Sequence, residues 1–237
     1  MVRGYKISGE RFLLKGEELK KLYNIRFEDE KGKKNRSRIW SVLCRGFFQQ
    51  FVSPDAVVAD VGAGYCDFIN NISAGSKYAI DLNPDVIRYA ANDVQVIMTD
   101  IGEISSHLEQ GHLDVCFMSN FLEHISKDQI SGLFTSLYGL LSTNGKIIIM
   151  TPNIKYAGGK YWDFFDHITP LTDTCLIEAL EQQGYKIEKC VSKFLPYSTK
   201  SKYPQSPWIV NLYIKLMPVS GLFFGEQSVI IASKPHQ

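Results

Sequence analysis

The sequence predicts an α/β fold with a doubly wound, mostly parallel seven-stranded sheet that ends in an antiparallel last strand. Three observations predict it. Short apolar strand patterns alternate with helical patterns from residue 56 onward. A glycine turn follows the first strand, in "VVADVGAGYC", and aspartates stand at the ends of the next two strands. Such alternation places parallel strands side by side, with helices covering both faces of the sheet.

The predicted elements follow one another at short spacing. Strands are predicted at 56–60, 77–81, 94–99, 113–119, 145–151, 185–192 and 228–234. Helices are predicted at 65–72, 84–91, 127–141 and 172–184. Pro84 suits the first position of its helix, because the missing N–H costs nothing there. The loop "WDFFDHITPLT" leads from the fifth strand into the last of these helices.

A helical cap is predicted ahead of this alternation. Residues 16–24 and 37–52 carry helical apolar spacing and are separated by a charged link. We therefore assign residues 1–53 to an N-terminal cap and residues 54–237 to the main domain.

An insertion is predicted between the last two strands, because residues 193–227 are too many for a hairpin turn. The stretch 208–217 within it reads as a helix with Asn211 and Lys215 as its polar members. Such a helix packs on the domain or on a second subunit. Alternatively, it contacts a membrane surface or covers an apolar substrate.

The composition is that of an ordinary globular protein, with 45% hydrophobic and 22% charged residues. The five cysteines are scattered without a C-x-x-C pair, which argues against a disulfide framework or a zinc knuckle and is typical of a reducing compartment. No apolar stretch suits a signal peptide or a membrane span. We therefore expect a cytoplasmic location.

Charge is unevenly distributed along the chain. Residues 1–40 hold 12 basic and 6 acidic side chains, residues 41–185 hold 7 and 17, and residues 186–237 hold 7 and 2. The basic flanks are either ordinary solvated surface or the contact region for an anionic partner, such as phosphate groups or a lipid surface.

The glycine turn is the most informative stretch. Asp60 ends the first strand, and Gly62 and Gly64 form a tight turn that lets a nucleoside-bearing ligand approach the backbone. Asp81 ends the second strand, where a carboxylate can accept hydrogen bonds from ribose hydroxyls, and Asp100 follows the third strand. All lie at the edge where open α/β sheets bind ligands. The missing third glycine of the dinucleotide motif disfavours a nicotinamide oxidoreductase.

These motifs resemble those of the class I S-adenosylmethionine-dependent methyltransferases. The resemblance rests on D-x-G-x-G at 60–64, "AIDLNP" at 79–84, "MTDI" at 98–101, "LDVCFMSNFLEHI" at 113–125 and "NGKIIIMTPN" at 144–153. It implies a Rossmann-like fold, methyl transfer and S-adenosyl-L-methionine as cofactor. The sequence departs from the family at Cys66, where a third glycine is common.

The resemblance also implies a set of cofactor-binding residues at the strand ends. They are Asp60, Gly62, Gly64, Asp81, Leu82, Asp100, Ile101, Asn120 and Phe121. The glycines would pass under the methionine part, Asp60 would orient its amino group and Asp81 would hold the ribose. The residues after the second and third strands would contact the adenine, and those after the fourth would border the sulfonium.

Methyl transfer to a hydroxyl needs a group that removes the proton, and histidine is the usual candidate. His124 follows Glu123 directly after the fourth strand, and His167 lies in the loop after the fifth. We predict His167, His124 and Glu123 as catalytic residues, with Asp166 orienting the imidazole of His167. Alternatively, His167 only anchors the loop ahead of the helix cap at Thr172.

A narrower resemblance concerns "NFLEHI" and "FDHITPLT". Together they are similar to the small-RNA 2′-O-methyltransferases, whose Glu-x-x-Glu-His cluster and later histidine bind a divalent metal. Asn120 replaces the first glutamate of that cluster, so we predict no metal ligands. Because no RNA-reading module or strongly basic aromatic face is present, we do not expect nucleic acid as a partner.

The C-terminal third carries a second resemblance. "TPN…YWDFFDHITPLT…LEQQGYKI…FLPYSTKS" resembles bacterial methyltransferases associated with surface-glycan and lipopolysaccharide assembly. This implies O-methylation of a glycan-related acceptor, a nucleotide- or lipid-linked sugar, or of another small anionic acceptor. The alternatives are a methyltransferase-fold binding or scaffold protein, and an RNA 2′-O-methyltransferase with a divalent metal. Besides the acceptor, the predicted partners are a membrane surface contacted through 208–217 and a second copy in a homodimer.

Overall fold

The computed structural model describes residues 30–197, 206–217 and 219–236, without the side chains of residues 30–33. The helix predicted at 16–24 lies outside these ranges. Within them, no helix has the length and apolar character needed to cross a bilayer.

The described chain is built on a seven-stranded sheet. Its strands are β1 (Val57–Val61), β2 (Ser76–Asp81), β3 (Val94–Met98), β4 (Leu113–Ser119), β5 (Leu141–Pro152), β6 (Lys186–Val191) and β7 (Gln227–Ser233). They lie in the order β3-β2-β1-β4-β5-β7-β6. β7 is antiparallel to β5 and β6, and the remaining neighbours are parallel. The predicted fold class is therefore confirmed. The order reverses between β1 and β4, which places a ligand crevice at their carboxyl ends.

Helices cover the sheet on both sides. They are α1 (Glu30–Gly46), α2 (Val86–Tyr89), α3 (Lys127–Leu140), α4 (Ile154–Ala157), α5 (Asp173–Gln182), α6 (Pro207–Lys215) and α7 (Val219–Phe224), with 3-10 turns at Phe48–Phe51, Ile101–Ser106, Leu122–His124 and Gly158–Asp163. The two longest helices after β1 begin where the sequence predicted, because Ser126 and Thr172 cap them. Their hydroxyls accept hydrogen bonds from the amides of Gln129 and Cys175 at 3.3 and 3.1 Å.

The prediction of a helix at 65–72 is wrong, because residues 64–71 form a run of turns. Cys66 has a φ of +58°, and a left-handed residue cannot continue a right-handed helix. Beyond it the turns still close locally, since the amide of Asn70 donates to the carbonyl of Cys66 at 3.0 Å.

The helix predicted at 84–91 exists only as the single turn α2. It begins after Asp85 rather than at Pro84, and it ends because Ala90 is extended, with φ −63° and ψ 133°. The amide of Ala90 still donates to the carbonyl of Val86 at 3.0 Å, which closes the turn before the chain enters β3.

The N-terminal cap packs on the sheet through aromatic side chains. Trp40 of α1 and Phe48 after it both contact Phe68 and Phe117. The rings of Phe68 and Phe117 stack with centroids 3.6 Å apart, and Phe194 closes the cluster against Phe48 at 6.0 Å. Phe194 lies at the start of the insertion. Helix α1, the sheet and the insertion therefore share one aromatic cluster, which holds the turn after β1 in place.

Candidate active site at the carboxyl edge of the sheet

The glycine turn after β1 is shaped by close contacts with β2 and with the residue after β4. The amides of Gly62 and Ala63 donate to the carbonyl of Ile80 at 2.9 and 3.2 Å. Gly62 has a φ of +73°, and a Cβ atom there would lie 2.5 Å from Cδ2 of Phe121. Only glycine fits, because both the backbone conformation and the ring exclude a side chain.

Asp81 is joined directly to this turn. Its Oδ2 accepts a hydrogen bond from the amide of Gly64 at 2.8 Å, and its Oδ1 accepts one from the amide of Asn83 at 2.7 Å. Burial raises the pKa of the Asp81 carboxyl, and these amide donors oppose the shift. The structure thus brings together the predicted residues Gly64 and Asp81, with Leu82 half-buried beside them.

Asp60 lies beneath the turn and is buried. Burial raises the pKa of its carboxyl well above the usual range, and the negative charges of Asp81 and Asp67 add to the rise. A hydrogen bond from the backbone of Ile69 acts in the opposite direction. A buried carboxylate among other acids favours a positively charged neighbour.

Arg36 of α1 reaches the turn from outside the sheet. Its Nε donates to the carboxylate of Asp67, and its guanidinium lies 4.1 Å from the centre of the Tyr65 ring. Between these residues stands Cys66, the residue that departs from the resembling family. Its left-handed backbone is the conformation that favours glycine, and burial raises the pKa of its thiol to about 12, so the thiol is not a nucleophile.

Asp100 and Ile101 take no part in these contacts between the glycine turn, Asp60 and Asp81. Asp100 Oδ1 accepts a hydrogen bond from the amide of Gly102 at 3.0 Å, so the side chain caps the 3-10 turn after β3. Ile101 packs on the core beside that turn. The end of β3 does lie near β2, because the amide of Thr99 donates to the carbonyl of Asp81 at 3.3 Å.

Asn120 and Phe121 occupy the turn after β4. Asn120 has a φ of +49°, and its amide donates to the carbonyl of Met150 in β5 at 2.9 Å. This conformation sends the chain back across the sheet edge, so that Phe121 reaches Gly62. Asparagine tolerates the left-handed region better than most residues do.

The loop between β5 and α5 is held on the turn after β4. The carbonyl of Glu123 accepts hydrogen bonds from the amides of Ile168 and Thr169 at 3.0 and 3.1 Å. The hydroxyl of Thr169 donates to the carbonyl of Ile125 at 2.6 Å, and the Tyr161 hydroxyl donates to the carbonyl of Thr169. Backbone groups therefore anchor the loop, and this anchoring does not require the imidazole of His167.

His124 lies in this junction and is paired with Asp166. Its Nδ1 is 3.1 Å from Oδ2 of Asp166 and 3.2 Å from the Asp166 carbonyl oxygen. Both partners are acceptors, so Nδ1 carries the hydrogen, and the neutral ring keeps its lone pair on Nε2. Burial disfavours the charged ring, but the Asp166 hydrogen bond and the charge of Glu123 outweigh burial and raise the pKa of His124.

Glu123 is fully buried behind His124. Its Oε2 accepts a hydrogen bond from the hydroxyl of Thr151 at 3.1 Å, and its Oε1 has no hydrogen-bond partner. Burial raises the pKa of the carboxyl, and the neighbouring His124 opposes the rise. An under-satisfied buried carboxylate next to an imidazole stabilises the protonated ring.

His167 is only 6% exposed and sits among aromatic rings. It stacks on Phe164 at 5.0 Å, meets Tyr161 edge-on at 4.7 Å, and meets His124 at 4.9 Å. Its Nε2 lies 3.4 Å from the hydroxyl of Tyr197. The predicted neighbourhood of the two histidines is therefore present.

The sequence reasoning missed several of these groups. It predicted Asp166 beside His167, whereas its carboxylate contacts His124. It did not assign Thr151 or Tyr197 to the site. Tyr197 lies 30 positions from His167 along the chain, and no spacing in the sequence signals that contact.

A metal ion also has a candidate ligand set here. One ligand atom each from Glu123, His124 and His167 lie within 4.8 Å of one another. One carboxylate and two imidazoles form a donor set that divalent transition metals accept. The predicted absence of metal ligands therefore has to be tested by experiment.

The comparisons with known proteins match this fold. Residues 59–149 match the family model of the methyltransferase domain. No curated protein matches the sequence.

Solved structures with the same fold include S-adenosylmethionine-dependent methyltransferases from three organisms. The one from Archaeoglobus fulgidus has a TM-score of 0.64 and 22% identity over 91% of this chain and 99% of its own. One from Thermotoga maritima, described as a possible histamine N-methyltransferase, has a TM-score of 0.62 and 13% identity over 90% and 98%. One from Methanosarcina mazei has a TM-score of 0.58 and 14% identity over 80% and 97%.

At these identities the solved structures show the shared fold, and the family model supplies the enzyme class. With a methyltransferase domain over residues 59–149, the protein is an S-adenosylmethionine-dependent methyltransferase, and the predicted enzyme class and cofactor are confirmed.

Proposed function

We propose that this enzyme methylates an oxygen of a glycan-related acceptor, a nucleotide- or lipid-linked sugar, or of another small anionic molecule. The observation that carries the proposal is the pairing of His124 with Asp166 at the carboxyl edge of the sheet. A sugar hydroxyl must lose its proton during transfer, whereas an acceptor that is already ionised needs no such base.

The residues of the glycine turn fit the cofactor. A sulfonium cofactor supplies an activated methyl group, together with an amino group and a ribose. Gly62 lets the turn lie directly against the ring of Phe121, and the buried Asp60 would offer negative charge to the amino group. Asp81 would accept from the ribose hydroxyls, since each carboxylate oxygen has a second lone pair beyond its amide donor.

The remaining predicted cofactor residues take the supporting positions. Leu82 would flank the adenine, with Asp100 and Ile101 at its edge. Asn120 and Phe121 would border the reacting centre, where the ring of Phe121 already contacts the glycine turn. These assignments are part of the proposal.

His124 would act as the general base through Nε2. Asp166 fixes the tautomer that leaves Nε2 available and, with Glu123, stabilises the imidazolium that forms when the proton arrives. His167 would support the ring of His124 by edge-on contact and border the acceptor. A positioned base of this type contributes about 10²–10⁴-fold to rate.

The acceptor side carries exposed aromatic rings. In the loop that brings His167 to the site, Trp162 is 53% exposed and Phe165 is 92% exposed. Flat aromatic surfaces stack on sugar rings and nucleobases, so these two rings are suited to hold the proposed acceptor. Lys160 in the same loop pairs with Glu226 at 2.5 Å.

The decisive experiment for the function is incubation with isotope-labelled cofactor and a fractionated cell extract, followed by mass spectrometry. The proposal expects the label on an oxygen of a sugar nucleotide or lipid-linked glycan. Label on RNA, protein or a nitrogen atom would overturn it. Cofactor binding in Asp81→Ala, measured by calorimetry, is expected to be lost, with Asp81→Asn as the size-matched control.

Two alternatives give different results in the same assay. A scaffold protein would bind the cofactor and label no acceptor, and its cellular function would survive the double change of His124 and His167 to alanine. A metal-dependent RNA 2′-O-methyltransferase is favoured only by the Glu123, His124 and His167 cluster. It would lose activity in a chelator and recover with added Mn²⁺.

A further inference from the structure

The insertion before β7 has an unusual distribution of apolar side chains. Helix α6 has one apolar face turned to the protein, where Ile214 lies against Gly46 of α1 and Val210 and Met217 pack on the core. A surface helix of a globular protein normally presents polar residues on its opposite face. On α6 that opposite face carries Asn211 and Lys215 but also exposes large apolar side chains.

The second face continues onto α7. The exposed large side chains, which we call the outer apolar face, are Trp208, Leu212, Leu216, Val219, Leu222 and Phe223. The first three recur every four residues, so they form one stripe along α6. Trp208 is 67% exposed and Phe223 is 75% exposed. Such a run is larger than the scattered apolar residues of an ordinary surface.

The packing of α7 turns its large side chains outward. Gly221 and Gly225 lie so close to the backbone of Lys193 that a Cβ atom at either position would collide with it. The helix is therefore seated by its glycines. Leu222 and Phe223 then point away from the domain, which explains their exposure.

The charge of this region identifies what can cover it. Residues 193–225 contain the lysines at 193, 200, 202 and 215 and no acidic residue. Lys215 is exposed next to Leu216, and the ammonium of Lys193 donates to the carbonyl of Leu222 at 2.5 Å. A two-fold dimer through this face would give the exposed Lys215 no acidic partner, because residues 206–225 contain none. An anionic lipid surface instead satisfies both the lysines and the apolar side chains.

We infer that α6 and α7 dock the enzyme on the surface of a membrane that carries anionic lipids, with the outer apolar face inserted among the headgroups. Tryptophan, phenylalanine and leucine flanked by lysine are the side chains that favour this interface. This inference goes beyond the proposed acceptor and does not depend on it, because a membrane-docked enzyme could methylate several classes of substrate.

The docking surface is joined to the candidate active site by the residues at both ends of the insertion. Tyr197, which precedes α6, has its hydroxyl 3.4 Å from Nε2 of His167. Glu226, which follows α7, accepts a hydrogen bond from the amide of Tyr197 at 3.0 Å. It also pairs with Lys160 of the loop between β5 and α5.

Flotation of the full chain with vesicles tests the inference. We expect binding to phosphatidylcholine vesicles that contain phosphatidylglycerol and much weaker binding to phosphatidylcholine alone. The double change Leu216→Ser and Phe223→Ser should lower the partition coefficient by about tenfold or more. Lys215→Gln should lower it about fivefold. Ile87→Ser, which alters an exposed apolar residue on α2, should leave it unchanged.

A second measurement does not depend on the double variant folding. The tryptophan fluorescence of the protein should shift to shorter wavelength when phosphatidylglycerol vesicles are added. This shift should be smaller in Trp208→Phe, because Trp208 is the tryptophan on the outer apolar face. Absence of vesicle binding overturns the inference, as does equal binding by the double variant. A dimer that the double variant abolishes, without any vesicle binding, shows that a second copy covers the face and also overturns it.

Discussion

Nδ1 of His124 lies 3.1 Å from the carboxylate of Asp166, and this contact joins the turn after β4 to the loop between β5 and α5. The pair resembles a general-base dyad in its geometry, because the acid fixes the tautomer and leaves Nε2 as the basic atom. The same contact raises the pKa of His124, together with the charge of Glu123. A pH profile can therefore report on the pair directly.

The first prediction concerns Asp166→Asn. As the proposed base, His124 would act in its neutral form, so kcat/KM should rise with pH through the raised pKa of His124. Removing the Asp166 charge lowers that pKa, so the rising limb should move to lower pH, while the plateau falls because the ring is less basic. The measurement is kcat/KM against pH for both proteins. A limb that stays in place would show that another group controls the profile.

The second prediction separates the two histidines. His124→Gln removes the basic nitrogen and should lower kcat about 10²–10⁴-fold with little change in cofactor affinity. His167→Phe keeps an aromatic ring against Tyr161 and Phe164, and the loop remains anchored by Glu123 and Thr169, so kcat should fall less than in His124→Gln. Steady-state kinetics and melting temperature are measured together. The reverse order of the two losses would assign the base to His167.

The third prediction compares two glycines with the same backbone conformation. Gly62 and Gly111 have φ values of +73° and +70°, but a Cβ atom at Gly111 would meet nothing within 4 Å. Gly111→Ala should therefore cost only the left-handed strain, about 1–2 kcal/mol in the free energy of unfolding. Gly62→Ala adds the collision with Phe121 and should cost more.

Urea unfolding measures both glycine variants, and calorimetry measures their cofactor binding. Gly62→Ala should also weaken cofactor binding, whereas Gly111→Ala, outside the candidate site, should bind as the original protein does. Equal destabilisation by the two changes would mean that the ring of Phe121 moves aside without cost.

The strand positions and the strand-end acids could be predicted because they depend on local patterns. The predicted strand ends agree with the structure to about one residue, except that β5 begins at Leu141 rather than at residue 145. The contact of Gly64 with Asp81 follows from the register of β1 on β2, which parallel pairing nearly fixes.

Other features depend on contacts that no local pattern reveals. The left-handed Cys66 ended the predicted helix at 65–72, although the apolar spacing there is helical. The choice of Asp166 for His124 rather than His167 is made by the path of a loop 42 residues further along the chain. Asp100 could be either a ligand or a cap from its sequence position, and the structure shows the cap.

The fourth prediction concerns the cost of keeping Asp60 charged in the absence of cofactor. Its pKa is raised in the folded protein by burial, with Asp81 and Asp67 nearby, so ionisation is less favourable folded than unfolded. Folding stability is therefore lost as pH rises above the ordinary aspartate value through the raised one. The asparagine of Asp60→Asn does not ionise, and its side-chain oxygen can still accept the backbone hydrogen bond from Ile69. The variant should therefore not lose folding stability in this way as the pH rises.

Without cofactor, Asp60→Asn should therefore match the original protein near pH 4 and exceed its melting temperature increasingly as the pH rises toward the raised pKa of Asp60. For a chain of this size, each 1 kcal/mol gained corresponds to about 2–4 °C. With cofactor the order should reverse, because the original protein gains binding energy through the charge of Asp60 and the variant does not. Thermal melts across pH, with and without S-adenosylhomocysteine, measure both effects. A difference that does not depend on pH would show that the pKa of Asp60 is the same in the folded and the unfolded protein, so the expected cost of its burial would be wrong.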